Sequence, residues 1–216
     1  MRVILVHGFN SSPDMNFHPW LAKELRAKGF EVVVPKLDLT VREDFKLSEI
    51  VEALSLAVGK IRNDDVFLGH SLGGLIVLNF LEAVEMVETP RAAILVAAPW
   101  KVAKPELRQL FMADLDADVA IWKAREFYIV HSKDDTLVPF EHGEKLARYL
   151  KASLVATETD GHYMDAEYPV LLELLEKIAT TPFEYAPGLS LDNDFENQTL
   201  ADRIAPRETS KPEWMT

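Results

Sequence analysis

Residues 66–77 read Val66-Phe67-Leu68-Gly69-His70-Ser71-Leu72-Gly73-Gly74-Leu75-Ile76-Val77. A short apolar run meets Gly-His-Ser-Leu-Gly and passes without a break into a second apolar run, the pattern of a buried strand turning sharply into a buried helix. Ser71 stands on the corner with Gly69 and Gly73 flanking it. A side chain at either glycine would collide where the strand and helix backbones cross, so G-x-S-x-G is a steric requirement. Such a corner holds a serine hydroxyl clear of the sheet and leaves the Leu72 N–H, at a helix N-terminus, to donate to a developing oxyanion. A chance Gly/Ser turn is the alternative, and the strand before, the helix after and a second motif at the N-terminus weigh against it.

That second motif follows the β-branched run Val3 to Val6, which reads as a fully buried strand and delivers His7-Gly8-Phe9-Asn10-Ser11-Ser12-Pro13 to its carboxyl end. Ligands bind at that end of open parallel sheets. The Phe9 N–H is the candidate second oxyanion donor, with His7, Gly8 and Asn10 as candidate substrate contacts. An ordinary strand-to-helix turn holding His7 as a satisfied structural histidine is the competing reading.

Outward from these two motifs, strands and helices alternate. Helical spacing runs from Phe17 to Lys28, closed by Gly29, and again over residues 46–61. Residues 31–35, 92–99, 126–131 and 153–156 read as further strands, with helices over 140–150 and 166–179. This alternation predicts an α/β fold of three layers, a six-stranded parallel sheet with helices on both faces. Residues 100–125 are irregular, forming either a small cap in which Trp100, Phe111 or Trp122 lines an acyl or aryl pocket, or plain crossover packing. One domain is expected over residues 1–180. From residue 181 to 216 apolar periodicity is lost, and four prolines and an acidic cluster read as an extended tail.

The chain has 216 residues, 48% hydrophobic and 27% charged, the balance of an ordinary globular protein. Its net charge of −12 argues against nucleic acid or an anionic membrane as partner. There are no cysteines, so disulfides, thiolate metal sites and a cysteine nucleophile are excluded. No His/Asp/Glu grouping has metal-ligand spacing, and no metal or other cofactor is expected. With no run approaching about 20 apolar residues, no membrane span is expected, and a cytoplasmic enzyme is the default.

Serine is a poor nucleophile near neutral pH, so Ser71 needs a base within hydrogen-bond reach and a group that fixes the tautomer of that base. Of the six histidines, only His162 follows the sixth strand in a loop, preceded by Gly161. His70 is expected to point away from the reacting hydroxyl, and His131 to serve strand packing. The orienting carboxylate should end a strand between serine and histidine. Asp135, opening Asp-Thr-Leu-Val-Pro, is the better placed of two, with Asp134 supporting the turn. The order Ser71, Asp135, His162 is that of a known hydrolase arrangement.

Val-His-Gly-Phe-Asn-Ser-Ser-Pro, Gly-His-Ser-Leu-Gly-Gly, His-Ser-Lys-Asp-Asp-Thr-Leu-Val-Pro and Gly-His together resemble the α/β-hydrolases, over residues 1 to about 180. More narrowly, they are similar to the small serine hydrolases resembling retinoblastoma-binding protein 9, including bacterial members. The resemblance implies a compact fold with strand order 2-1-3-4-5-6 and cleavage of small carboxylic esters, or of thioesters or amides, through an acyl-enzyme. Without cysteine, the retinoblastoma-binding Leu-x-Cys-x-Glu element does not carry over, and the tail has no counterpart. A catalytically silent hydrolase-fold binding protein is the alternative function.

Overall fold

A computed structural model describes residues 1–39, 46–102 and 117–182. The apolar runs become six strands: β1 (Arg2–Val6), β2 (Glu31–Val33), β3 (Asp65–His70), β4 (Ala92–Val96), β5 (Glu126–Ser132) and β6 (Ser153–Thr157). All pairs are parallel and the order is β2-β1-β3-β4-β5-β6, as the resemblance implied. Every residue of β1, β3 and β4 is buried, which is why these runs lack polar alternation. Among the described residues the helices are α1 (His18–Ala27), α2 (Leu47–Val58), α3 (Leu72–Ala83), α4 (Ala117–Ala120), α5 (Phe140–Leu150) and α6 (Pro169–Thr180). Met1–Ala179 forms one compact unit. Phe111, most of the irregular stretch around it, and the tail from residue 183 lie outside the described residues.

Because strand side chains alternate, each strand feeds two cores. Val3, Leu5, Val66 and Leu68 pack with Leu21 and Leu25 of α1 and with Leu171 and Leu175 of α6. Ile4, Val6 and Phe67 pack on the other face with Leu54 of α2, Ile76 and Phe80 of α3 and Leu146 of α5. Gly29 follows α1 at φ +85°, the left-handed position that stops a helix most cheaply at glycine. No helix among the described residues is long and apolar enough to cross a membrane.

Two strands begin one residue earlier than the apolar pattern indicates, each on a charged residue. Arg2 and Asp65 are directly opposed in the β1/β3 register and form a bidentate pair, Nε to Oδ1 at 2.8 Å and Nη2 to Oδ2 at 2.6 Å. Two further guanidinium N–H groups donate to the carbonyls of Val58 and Lys60, and the Arg62 N–H donates to Asp65 Oδ2. Asp65 is fully buried, so removing its charge strands a guanidinium. Asp65→Asn is therefore expected to lower unfolding free energy by about 3 kcal/mol, measured by urea denaturation. The double variant Arg2→Met/Asp65→Asn should lose less than the sum of the two single losses; additive losses would contradict the pairing.

Candidate active site

Ser71 links β3 to α3 with φ 54° and ψ −124°, a conformation costly for a residue with a side chain. Its N–H donates to the Val96 carbonyl at 2.8 Å, and its own carbonyl accepts the Gly74 N–H at 3.0 Å. A Cβ on Gly69 would lie 2.5 Å from the Gly73 carbonyl oxygen, and one on Gly73 would overlap the carbonyl oxygens of Val6 and His7. A Cβ on Gly8 would come within 3.0 Å of the Ser71 Cβ, so the loop after β1 lies directly against the corner.

The loops after β5 and β6 complete a hydrogen-bonded chain. Asp135 Oδ1 accepts the N–H groups of Leu137 (2.8 Å) and Val138 (2.9 Å), which fixes the carboxylate at the strand end. Its Oδ2 lies 2.8 Å from His162 Nδ1. Burial by itself would raise the Asp135 pKa, but hydrogen bonds from His131, His162 and the Val138 N–H outweigh it and hold the carboxyl well below the usual carboxylate range. An ionised carboxylate only accepts, so the proton sits on His162 Nδ1. In the neutral ring Nε2 is then an acceptor, and it lies 2.9 Å from Ser71 Oγ.

The histidine loop is braced from several sides. Gly161 and Tyr163, on either side of His162, take φ of 55° and 56°. The Gly161 N–H donates to Asp134 Oδ1 (2.8 Å) and the Asp160 N–H to Ser132 Oγ (2.9 Å), while the Ser132 hydroxyl donates to Asp134 Oδ1. Asp134 thus holds the loop, its carboxyl kept below its ordinary range by the Ser132 hydroxyl and the Gly161 N–H. Tyr163 is fully buried, its hydroxyl 2.7 Å from Thr157 Oγ1. On the other side, His70 Nε2–H donates to the His162 carbonyl at 2.9 Å.

Sequence reasoning missed what the remaining histidines do. His70 does turn away from the serine hydroxyl, yet it ties the residue before Ser71 to the backbone of His162. His131 Nε2–H donates to the Val138 carbonyl (2.8 Å) and lies 3.4 Å from Asp135 Oδ2, so this residue backs the carboxylate as well as packing the strand. Its four-residue spacing from Asp135 at a strand end was the available signal. His7 is fully buried, with Nε2 accepting the Leu37 N–H at 3.1 Å and Nδ1–H donating to the Gly8 carbonyl. It is a structural histidine rather than the substrate contact expected. Among the described residues no group of three or more His, Asp or Glu could hold a metal ion.

Ser71 and His162 open onto a cleft of about 380 Å³ that Gly8, Phe9, Asn10 and Leu72 also line. Two tryptophans expected there lie elsewhere. Trp100 packs edge-on against Tyr149 of α5, with centroids 4.5 Å apart, and its backbone N–H donates to His142. Trp122 precedes β5 and so sits at the amino edge of the sheet, where it lines a groove with Glu126 and Ser153, the first residues of β5 and β6.

A sheet of this order with a serine on the β3–α3 corner defines an α/β-hydrolase. The chain belongs to the serine hydrolase family, which it matches over residues 3–171. It is similar to the YdeN protein of Bacillus subtilis, 27% identical over 185 residues that cover 84% of this chain and 96% of that protein. The crystal structure of the B. subtilis ydeN gene product superimposes with a TM-score of 0.76 at 26% identity, covering 83% of this chain and 99% of that one. Est1E of Butyrivibrio proteoclasticus, solved with ferulic acid bound, shares the fold, with a TM-score of 0.66 at 17% identity over 82% of this chain and 87% of that one.

Burial depresses two imidazoles next to this site: His70 to about 3, with His18 and His162 nearby adding to the shift, and His18 to about 4. Both stay neutral in the folded protein, whereas the unfolded chain protonates them near the ordinary value of 6.5. Stability from these rings is therefore complete above that value and lost as the pH falls through it, by on the order of 1–2 kcal/mol per ring at pH 5. Urea midpoints measured at pH 7.5 and 5 should fall with acidity, and His70→Gln, which keeps an N–H donor, should flatten the dependence. An unchanged dependence would contradict a buried neutral His70.

Proposed function

We propose that the protein hydrolyses small carboxylic esters through a covalent acyl intermediate on Ser71. The supporting observation is the unbroken Asp135–His162–Ser71 hydrogen-bonded chain, 2.8 Å and 2.9 Å, opening on the cleft. Ser71 Oγ attacks the ester carbonyl as its proton passes to His162 Nε2, and Asp135 stabilises the imidazolium without itself taking a proton. The Leu72 and Phe9 N–H groups hold the oxyanion. Collapse of the tetrahedral species breaks the bond to the leaving alkoxide, which takes the proton from His162. Water, deprotonated by the same imidazole, then attacks the acyl carbon, and the returning proton restores Ser71 as the acid departs. Thioesters and amides present the same carbonyl chemistry with different leaving groups.

Ser71→Ala is expected to lower kcat for p-nitrophenyl acetate and butyrate by roughly 10⁴-fold or more and to abolish fluorophosphonate labelling. Asp135→Asn leaves His162 in the wrong tautomer and should cost about 10⁴-fold. A Ser71→Ala protein that turns over the esters at the parent rate would remove Ser71 from the mechanism. A parent protein that neither labels nor hydrolyses would favour a binding role for the fold.

A further inference from the structure

The cleft beside Ser71 is set apart by its charge. The chain carries 35 Asp and Glu against 23 Lys and Arg, yet the described cleft lining holds no carboxylate, one lysine and three histidines. The lysine is Lys101, which is exposed and makes no hydrogen bond or ion pair with any described residue. His142, at the start of α5, lines the same cleft and is hydrogen-bonded to the backbone of Trp100, the residue before Lys101.

A single hydrogen bond fixes what His142 offers. The Trp100 N–H donates to His142 Nδ1 at 2.9 Å, and a backbone N–H can only donate, so Nδ1 is the acceptor. Burial, reinforced by the positive charge of Lys145 and by the proximity of His131, lowers the His142 pKa and keeps the ring neutral. The one remaining proton then sits on Nε2. That nitrogen has no hydrogen-bond partner among the described residues and is not among the buried unpartnered atoms, so it is accessible on the ring that lines the cleft. A fixed N–H from the start of α5 and an ammonium group from the loop after β4 thus both belong to the lining of the cleft. Leu137 and Met164, 67% and 53% exposed, add apolar surface from the loops that carry Asp135 and His162.

We propose that Lys101 and His142 form a carboxylate-binding subsite, so that the preferred substrates are esters with an apolar body and a free carboxylate. This rests on the ester-hydrolase reading above and narrows its substrate class. The overall charge of −12 does not oppose it, because screening over about 8 Å at physiological salt leaves a bound anion governed by its immediate neighbours. Charge-assisted hydrogen bonds are roughly twice as strong as neutral ones, which makes the carboxylate the favoured ligand over a neutral acceptor.

The test compares kcat/KM for two matched pairs in the full-length parent, K101M, K101R and H142F. Mono-p-nitrophenyl succinate against p-nitrophenyl butyrate places the carboxylate on the acyl side, and 4-acetoxybenzoate against phenyl acetate places it on the leaving side. In at least one pair the ratio of charged to neutral ester should fall about tenfold in K101M and in H142F and be held by K101R. Both ratios unchanged in K101M, or K101R losing as much as K101M, would overturn the subsite. Fluorophosphonate labelling of the parent keeps the two readings apart: labelling with flat ratios overturns the subsite alone, and an unlabelled, inactive parent overturns the hydrolase reading beneath it.

Discussion

Between Gly69 and Gly74 the chain passes from β3 into α3 with so little room that a Cβ on Gly73 would meet the carbonyl oxygens of Val6 and His7. A Cβ on Gly74 would lie 2.6 Å from the Cβ of Ala98. Three strand ends, those of β1, β3 and β4, are therefore drawn together around one corner. The approach places Gly8 against Ser71 and aligns the Phe9 and Leu72 segments along the same cleft. It also holds Ser71 at a positive φ, from which its hydroxyl projects toward the loop after β6. Strain of this kind, of order 1–3 kcal/mol, persists only where the surroundings over-determine it. Here they do so through the Ser71 N–H bond to Val96 and the packed glycines.

Charge at this edge is handled sparingly. One buried carboxylate, Asp135, takes hydrogen bonds from the Leu137 and Val138 N–H groups and from His162, with His131 close by. The histidines around it are kept uncharged by burial at positions 7, 18 and 70. The neutral His70 ring stands 5.4 Å from His162, whose hydrogen-bonded charged partner is Asp135. The neutral form also sets hydrogen-bond direction: His70 has its proton on Nε2 and can donate to the His162 carbonyl.

Much of this was legible because period and steric punctuation are local signals. Apolar runs gave the strands at Val3 and Val66, Gly29 gave the end of α1, and the paired glycines gave the Ser71 corner. The strand-end rule brought Asp135 and His162 to the same edge, where the structure places them in hydrogen-bond contact. What escaped depends on partners distant in sequence. Arg2 reads as a charged residue outside a strand until Asp65, 63 residues away, is known to pair with it. His131 reads as strand packing until the loop that returns to it is placed. Trp100 and Trp122 lie in an irregular stretch with no period to say which edge or face a ring will take, the first packing against Tyr149 and the second sitting before β5.

The ion pair at the amino edge bears on the corner at the other end. Strands β1 and β3 are apolar on both faces, so sliding one past the other by a residue would exchange one apolar set for another at little cost in burial. Such a slip would move the loop after Val6 by about 3.3 Å relative to Ser71. Gly8 would leave its contact with the serine, and His7 would lose the geometry that accepts the Leu37 N–H. A bidentate guanidinium–carboxylate pair is satisfied only with Arg2 opposite Asp65, the pairing that sets Val6 opposite Gly69. Register information that the hydrophobic pattern lacks is thus supplied by two charges far from the chemistry. The tight crossing at the carboxyl edge reads it out.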